Sequence, residues 1–228
     1  MTTETDLEHV DARRRFATDI PVGYRPARHV LGSAAFGVLG VAASLGALSQ
    51  VRPAELWAVP ATLLAMNLLE YVAHRGFMHR RTRVLPYAYT AHTLRHHACF
   101  PERSMAIASP RELWLILFGP RELALFALAT ASPFALLAWL ASRNTAALVA
   151  ASIFTHYLLY EGLHLASHLP EGHWLARVRP IVGLRRRHAR HHGASREGYN
   201  VTLPIGDWLF GTLGRTPRRG AGNTAPSA

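Results

Sequence analysis

Four apolar stretches constrain the fold of this 228-residue chain more than any other feature of its sequence. They cover residues 30–49, 54–72, 123–141 and 146–163. Each is close to the length of about 20 residues at which a helix crosses the hydrocarbon core of a bilayer. Because lipid offers no partner to backbone N–H and C=O groups, we expect each stretch to be helical. The sequence therefore predicts an all-α, integral membrane bundle of about four transmembrane helices.

Composition and length favour one membrane-embedded domain. Only 17% of the residues are charged, whereas soluble proteins have about 25%. We expect this domain over residues 29–214, after an N-terminal segment at 1–28 and before a disordered tail at 215–228. A shorter apolar stretch at 113–118 cannot span a bilayer alone, and we expect it at the interface or as a re-entrant piece. Gly37, Gly40 and Ser44 share one face of the first stretch, which favours a close contact with another helix.

The placement of arginine predicts how the chain is oriented. The net charge is +11, and every basic side chain other than histidine is arginine. Arginines cluster before the first stretch, between the second and third, and after the fourth, while the other two connections carry only Arg52 and Arg143. By the positive-inside rule, both termini and the long middle loop are cytoplasmic.

Ten of the 14 histidines form four clusters beside these apolar stretches. Neutral imidazole is the most common metal ligand in proteins, and ten imidazoles are too many for one ion. All four clusters fall on the predicted cytoplasmic side of the membrane. We therefore predict a cytoplasmic, histidine-rich helical cap that holds more than one metal ion, with these candidate ligands: His74, His79, His92, His96, His97, His164, His168, His188, His191 and His192.

Helical periodicity predicts which of these histidines act together in the second half of the chain. Residues four apart share a helix face, so His164 and His168 are expected to project together. His188 is aligned in the same way with both His191 and His192, which predicts a compact patch of three ring nitrogens.

In the first half of the chain, periodicity gives a less regular pattern. His92 and His96 share a face, while His97 is expected to point elsewhere and to bind a second ion. His74 and His79 diverge by about 140° on a regular helix, so the helix must end or bend at the glycine between them for both to converge.

The number and type of ligands favour iron. Ten nitrogens over two ions give about five each, which exceeds the four ligands of structural zinc and suits iron with a position left for oxygen. A haem would need only one or two histidines, and a metal transporter would place its ligands near the bilayer midplane. The single cysteine, Cys99, excludes an internal disulfide framework, a cysteine-based zinc knuckle and an iron–sulfur cluster. A buried, unreactive thiol is expected here, with a ligand role beside His97 as the alternative. Zinc can replace iron at imidazole sites during purification.

Three carboxylates are candidates for orienting the ligands. They are Glu70 and Glu161, which lie within the second and fourth apolar stretches, and Asp207, which lies in the segment after the last histidine cluster. A carboxylate that accepts a hydrogen bond from the far nitrogen of a ligating imidazole fixes the orientation of its ring. The alternative for each of them is an ordinary ion pair with a nearby arginine.

These histidine patterns resemble those of the fatty acid hydroxylase/sterol desaturase superfamily of integral-membrane di-iron oxygenases. Segments 74–79, 160–168 and 187–192 are most similar to the histidine boxes of the fatty acid 2-hydroxylases, and the closing segment 198–212 is similar to that of the superfamily at large. His173 recurs at a similar offset beyond the third cluster, and the resemblance makes it a further candidate for orienting the ligands. The second cluster has one residue more than the family's usual His-x2-His-His, which leaves the role of His92 open.

The resemblance implies a reaction and its partners. We expect two irons held by the ten histidines, with O2 as co-substrate, to hydroxylate an unactivated C–H bond of a lipid, most directly a fatty acyl chain. The 2-hydroxylases often carry a fused cytochrome b5 domain, which we do not expect here. Electrons would come from a separate donor of the ferredoxin or cytochrome b5 type. A path from the bilayer to the metals would be lined by aromatic side chains: Phe77, Tyr157, Tyr160 and Trp208.

Two alternatives stay open at this point. A relative of the same superfamily would act on a sterol or carotenoid, or would desaturate a lipid instead of hydroxylating it. A protein of a different class would only store or sense metal. The basic charge suits anionic lipid headgroups, membrane topology or an acidic electron donor. We expect no nucleic-acid partner, because the chain has neither RNA-binding aromatic motifs nor a helix-turn-helix pattern.

Overall fold

The computed structural model describes residues 4–194 and 196–214, and within them all regular secondary structure is helical. The predicted tail at 215–228 lies outside the described residues. The α-helices, in chain order, are α1 (Glu4–Ala17), α2 (Pro26–Gly46), α3 (Ala58–Ala73), α4 (Pro86–Tyr89), α5 (His97–Cys99), α6 (Pro120–Phe126), α7 (Ser132–Trp139), α8 (Arg143–Ser167), α9 (Arg179–Gly193) and α10 (Ile205–Leu209).

Several of these helices are extended or joined by turns of other helix types. Three are 3₁₀-helices, at Pro53–Trp57, Pro110–Leu115 and Trp174–Arg177. Three are π-helical, at His74–Met78, Thr90–His96 and Ala127–Ala131. Short π segments often occur where a helix carries functional side chains, and two of these contain candidate ligands.

Within the described residues, four helical segments are long and apolar enough to cross a membrane, as predicted. They are Pro26–Gly46, Pro53–Met78, Pro110–Trp139 and Arg143–Ser167. Helix α8 is the central one, since it packs against α2, α3, α7 and α9. Many leucines of the other spans are exposed on the outer surface of the bundle, as expected for side chains that face lipid.

The apolar stretch at 113–118 lies inside the protein, within the third candidate span. Its 3₁₀-helix ends at Leu115, and residues 116–119 connect it to α6. Its expected placement at the membrane interface or as a re-entrant piece stays a prediction. Leu115 and Ile116 are buried in a cluster with Phe100 and Met105. The stretch is apolar because it packs inside the protein beside the histidines.

The predicted close contact of the first span is confirmed. A Cβ atom added to Gly40 would lie 2.4 Å from the ring of Phe154, and one added to Gly37 would lie 2.5 Å from Leu158. Both partners belong to α8. Small residues therefore let the backbone of α2 approach the central helix. Ser44 bonds to the carbonyl of Gly40 within α2.

Candidate metal centre

Nine of the ten candidate ligands lie in two groups in which the ring nitrogens are within 4.8 Å of one another. The first histidine group consists of His74, His79, His92, His97 and His191, and the second histidine group consists of His96, His168, His188 and His192. The tenth, His164, borders the second group, because its Nε2 lies 3.2 Å from Nε2 of His96. Residues from four separate parts of the chain thus meet at one place.

The first cluster converges through a π turn rather than through a bend at its glycine. The His79 N–H donates to the carbonyl of His74, five residues earlier, at 3.1 Å. A π turn holds more residues than an α turn, so side chains five apart come to lie on the same side. This brings both rings into the first histidine group, with centroids 5.0 Å apart.

The second cluster is divided differently from the prediction. His92 pairs with His97, not with His96, because the segment Thr90–His96 is also π-helical and the His97 N–H donates to the carbonyl of His92. Nε2 of His92 lies 2.8 Å from Nε2 of His74 and 3.1 Å from Nε2 of His97. The extra residue in this cluster is therefore accommodated by the π turn, and His92 lies inside the first histidine group.

The last cluster is also divided between the groups, so the predicted patch of three nitrogens was wrong. His188 and His192 are four apart on α9, and both face the second histidine group. His191 points about 100° away from His192 around the helix, and its Nε2 lies 3.0 Å from Nε2 of His79. Helix α9 thus runs between the groups and supplies both. His168, at the C-terminal end of α8, completes the second group.

Backbone carbonyls hold the far ring nitrogens of five histidines. A carbonyl oxygen only accepts, so each Nδ1 must carry the proton, which leaves Nε2 free to bind a metal. This arrangement fixes both the tautomer and the orientation of each ring. The acceptors are the carbonyls of Tyr199 for His74, Leu115 for His96, Met105 for His168, Glu197 for His191 and Phe100 for His192.

Two of the predicted carboxylates, Asp207 and Glu70, contact the backbone segment that holds the rings and not the rings themselves. Asp207 accepts the backbone N–H groups of Tyr199 and Asn200 at 2.9 and 2.8 Å. Glu70 accepts those of Val201 and Thr202 at 2.5 and 3.1 Å. Both acids therefore hold the segment 197–202, whose carbonyls bind two histidines of the first group.

The other two predicted orienting residues contact different parts of the protein. Glu161 accepts the Phe118 N–H at 3.1 Å and so anchors the start of the third span. His173 is exposed, and its ring accepts the backbone N–H of Leu175 at the start of a 3₁₀-helix. Neither residue belongs to the two histidine groups.

Burial keeps these imidazoles neutral. It lowers the pKa of His79 to about 3, with a further contribution from His191, and it lowers the pKa of His191 to about 4. Burial and neighbouring histidines also hold the pKa well below its usual range for His92, His96, His97, His168, His188 and His192. Neutral imidazole is the form that binds metal. The donor set therefore fits metal ions in chemistry as well as in position.

Cys99 lies close to the histidines in sequence but in neither group. The side chain is buried in the apolar cluster with Phe100 and Met105. Burial raises the pKa of this thiol to about 12, so the thiolate that binds metals does not form at neutral pH.

An apolar cavity of 730 Å³ leads to the histidines. Phe77, Tyr157 and Tyr160 line its wall, as predicted for a substrate path, but Trp208 lies on the surface and is 70% exposed. The cavity reaches four candidate ligands: His74, His92, His96 and His164. At its other end it is lined by Leu125 and Phe134, which are also exposed on the third span.

Comparisons with known proteins agree with this site. Residues 59–212, more than half of the chain, match the family model described as fatty acid hydroxylase. The matched region contains every histidine of the two groups and His164. No curated protein and no solved structure gave a match. By the match over residues 59–212, the chain belongs to the fatty acid hydroxylase family.

Proposed function

We propose that this protein is a membrane-bound di-iron oxygenase that hydroxylates an unactivated C–H bond of a lipid, with a fatty acyl chain as its substrate. It uses O2 and two electrons from a separate donor for each turnover. The observation that carries this proposal is the cavity that joins the lipid-facing surface of the third span to the two histidine groups.

The lining of the cavity supports an apolar substrate that enters from the bilayer. Leu125 and Phe134 lie at its outer end on the surface of the third span, where acyl chains are present. Further in, Phe77, Tyr157 and Tyr160 provide a wall that excludes water and aligns a flexible chain. Such a wall is expected in a protein that binds a long apolar ligand. A protein that only stores metal has no need of a passage to the lipid.

The two histidine groups provide the ligands for the metal. The first group would hold one iron and the second group, bordered by His164, the other. When bound, the irons supply the activation of O2 that the oxidation of a C–H bond requires. The protein holds five of the rings through backbone carbonyls, keeps the imidazoles neutral by burial, and shields the reacting carbon from water.

We propose that both termini and the histidine groups lie on the cytoplasmic side, where the arginines cluster. A soluble donor of the ferredoxin or cytochrome b5 type would then reach the metal centre directly. Two arginines of α9 are already used inside the protein, because Arg185 donates to the carbonyl of Ala166 and Arg187 to that of Thr202. Arg186 of the same helix is exposed and free to contact an acidic partner or lipid headgroups.

The proposal is tested by lipid analysis in a host that lacks this activity. We expect acyl chains to gain one oxygen atom in cells that express the wild-type protein, as measured by mass spectrometry of total lipids. The double variant His191→Ala/His192→Ala removes one histidine from each group and should abolish the product. His173→Ala is the matched control, because this histidine is exposed and belongs to neither group.

Other outcomes separate the alternatives. Loss of two hydrogens from a lipid would show that the reaction is desaturation and not hydroxylation. An oxidised sterol or carotenoid would show that the substrate is not an acyl chain. No product in the presence of iron, O2 and a reductase, together with full metal loading, would overturn the proposal in favour of a metal-binding protein without turnover.

A further inference from the structure

The loop at residues 99–107 supports the second histidine group from outside the bundle. The carbonyl of Phe100 accepts from Nδ1 of His192 at 2.5 Å, and that of Met105 accepts from Nδ1 of His168 at 2.8 Å. The Ile107 N–H also donates to the carbonyl of His168 at 2.9 Å. The position of this loop therefore determines the orientation of two of the four rings in the group.

One side chain from the N-terminal helix α1 holds the other side of the loop. The guanidinium of Arg13 donates three hydrogen bonds to loop carbonyls: Nε to Cys99 at 2.6 Å, and Nη2 to Ser104 at 2.8 Å and to Ala106 at 2.9 Å. These residues alternate with Phe100 and Met105, whose carbonyls bind the histidines. The loop is thus fixed between Arg13 on one side and the histidines on the other.

Further contacts keep the Arg13 side chain in place. It is only 16% exposed, and its Nη1 lies 3.7 Å from a carboxylate oxygen of Glu112. The guanidinium carbon lies 4.9 Å from the ring centroid of Phe100. Phe16, one turn further along α1, packs against the apolar cluster that contains Phe100 and Met105. Helix α1 is therefore docked on the loop through a single face.

Arginine suits this position better than lysine does. The guanidinium is planar, carries five donors and stays charged at all physiological pH values, so it can bind several carbonyls at once. A lysine ammonium is a single point of charge on a flexible stem and would reach fewer of the three carbonyls. Without a cation here, loop carbonyls that are partly buried would lose their partners.

We infer that Arg13 is a positioning residue for the second histidine group and that α1 acts as a clamp on the loop at 99–107. Arg13 makes no hydrogen bond to a histidine in the described part of the chain. It acts through the Phe100 and Met105 carbonyls that orient His192 and His168. Helix α1 lies outside residues 59–212, which match the family model, so this clamp is a feature of the chain beyond the matched region. The inference rests on the proposed metal binding, but its test also measures the chemical reactivity of each histidine ring, which does not require metal.

The test compares Arg13→Ala and Arg13→Lys with Arg14→Ala in the full-length protein. Arg14 is the matched control, because it lies next to Arg13 on the same helix and its side chain is 79% exposed. Each protein, purified in detergent without added metal, is treated with diethyl pyrocarbonate, and the modification of each histidine is measured by peptide mass spectrometry. His191 is the internal reference, because the Glu197 carbonyl holds its ring independently of the loop.

We expect faster modification of His168 and His192 in Arg13→Ala, with His191 unchanged. Iron loading, measured by elemental analysis, should show an affinity of the second group lowered by about 10- to 100-fold, the usual effect of losing a partner of a ligand. Arg13→Lys should give an intermediate result, and it carries the test if Arg13→Ala yields no folded protein.

Two results would overturn the inference. In one, Arg13→Ala matches Arg14→Ala at every histidine. In the other, both histidine groups become reactive to the same extent, which means that Arg13 has only a general structural role. A wild-type protein that oxidises no lipid would contradict the proposed function and leave this inference intact, because the modification pattern does not depend on turnover.

Discussion

The two histidine groups are built by different kinds of local structure. The first group depends on two π turns, which bring His74 together with His79 and His92 together with His97. The second group uses the ordinary helical spacing of four between His188 and His192. All four members of the second group are buried, whereas His79 and His97 of the first are partly exposed. The second group is therefore the more enclosed of the two.

This difference shows that histidine ligands of the same kind can be held in place by different parts of the structure. A π turn is rare and is kept only where other contacts favour it, so the first group is sensitive to the number of residues in its turns. The second group needs only regular helix geometry between His188 and His192, but it depends on the loop at 99–107 for the carbonyls of Phe100 and Met105. Changes in helix length should affect the first group, and changes at the loop should affect the second.

The largest effect is expected from removing one of two adjacent ligands. His191→Ala should release metal from the first group alone, and His192→Ala from the second group alone. Each loss should exceed the roughly 10- to 100-fold weakening caused by removing a partner of a ligand. Metal content per protein, measured by elemental analysis, should fall by about half in each single variant relative to His173→Ala. Complete loss of metal in either one would show that the groups form a single cooperative site.

The second-largest effect on metal binding is expected from a change in the length of the helical segment that carries His92 and His97. One alanine inserted between Leu94 and Arg95 places His92 and His97 six residues apart, which puts them about 120° apart around an α-helix. We expect the first group to lose metal while the second retains it. Deletion of Leu94, an exposed residue, is the counterpart, because it leaves the two histidines four apart on one face.

The paired variants are measured by metal content and by histidine modification. The deletion should retain metal in both groups, since an α turn can replace the π turn. Equal damage from insertion and deletion would mean that the π turn itself, and not the alignment of the two rings, is what the first group requires.

We expect Gly40→Ala to have the smallest effect on the difference between the two histidine groups. A methyl group here meets the ring of Phe154 at 2.4 Å, so the variant should be destabilised by about 1–3 kcal/mol through overpacking. Helix α2 supplies no histidine to either group, so both should keep the same share of metal. Gly46→Ala is the control, because nothing lies within 4 Å of its added Cβ. Thermal unfolding and metal content check the two statements, and selective loss of one group would contradict the second.

Much of the fold could be predicted because it depends on local composition. The four spans are confirmed, and the close approach of α2 at Gly37 and Gly40 follows from the small residues on one helix face. The sequence did not show that the stretch at 113–118 packs beside the histidines, because an apolar run that faces lipid and one that packs beside buried histidines have the same composition. Placement of the termini and histidines on the cytoplasmic side stays a prediction from the arginines.

The candidate site could be predicted as a set of residues but not as an arrangement. Periodicity assumes a regular α-helix, and it therefore paired His92 with His96 and grouped His191 with His192. The structure separates both pairs. The π turn at Thr90–His96 separates His92 from His96, and His191 and His192 enter different groups because adjacent residues on α9 point in different directions. Glu70 and Asp207 were predicted to accept from ligand rings, whereas in the structure they accept backbone N–H groups of residues 199–202.

The sequence by itself determined that this chain forms a helical membrane protein with an unusual number of metal-binding imidazoles. Those properties follow from hydrophobicity, length and residue type, which are local. Only the tertiary structure decided how the histidines divide into two groups, which carbonyls orient them, and that Arg13 holds the loop behind the second group. The physical reason is that every residue has a carbonyl, so a carbonyl partner leaves no mark in the sequence, and contacts across 86 or more residues depend on how the helices pack.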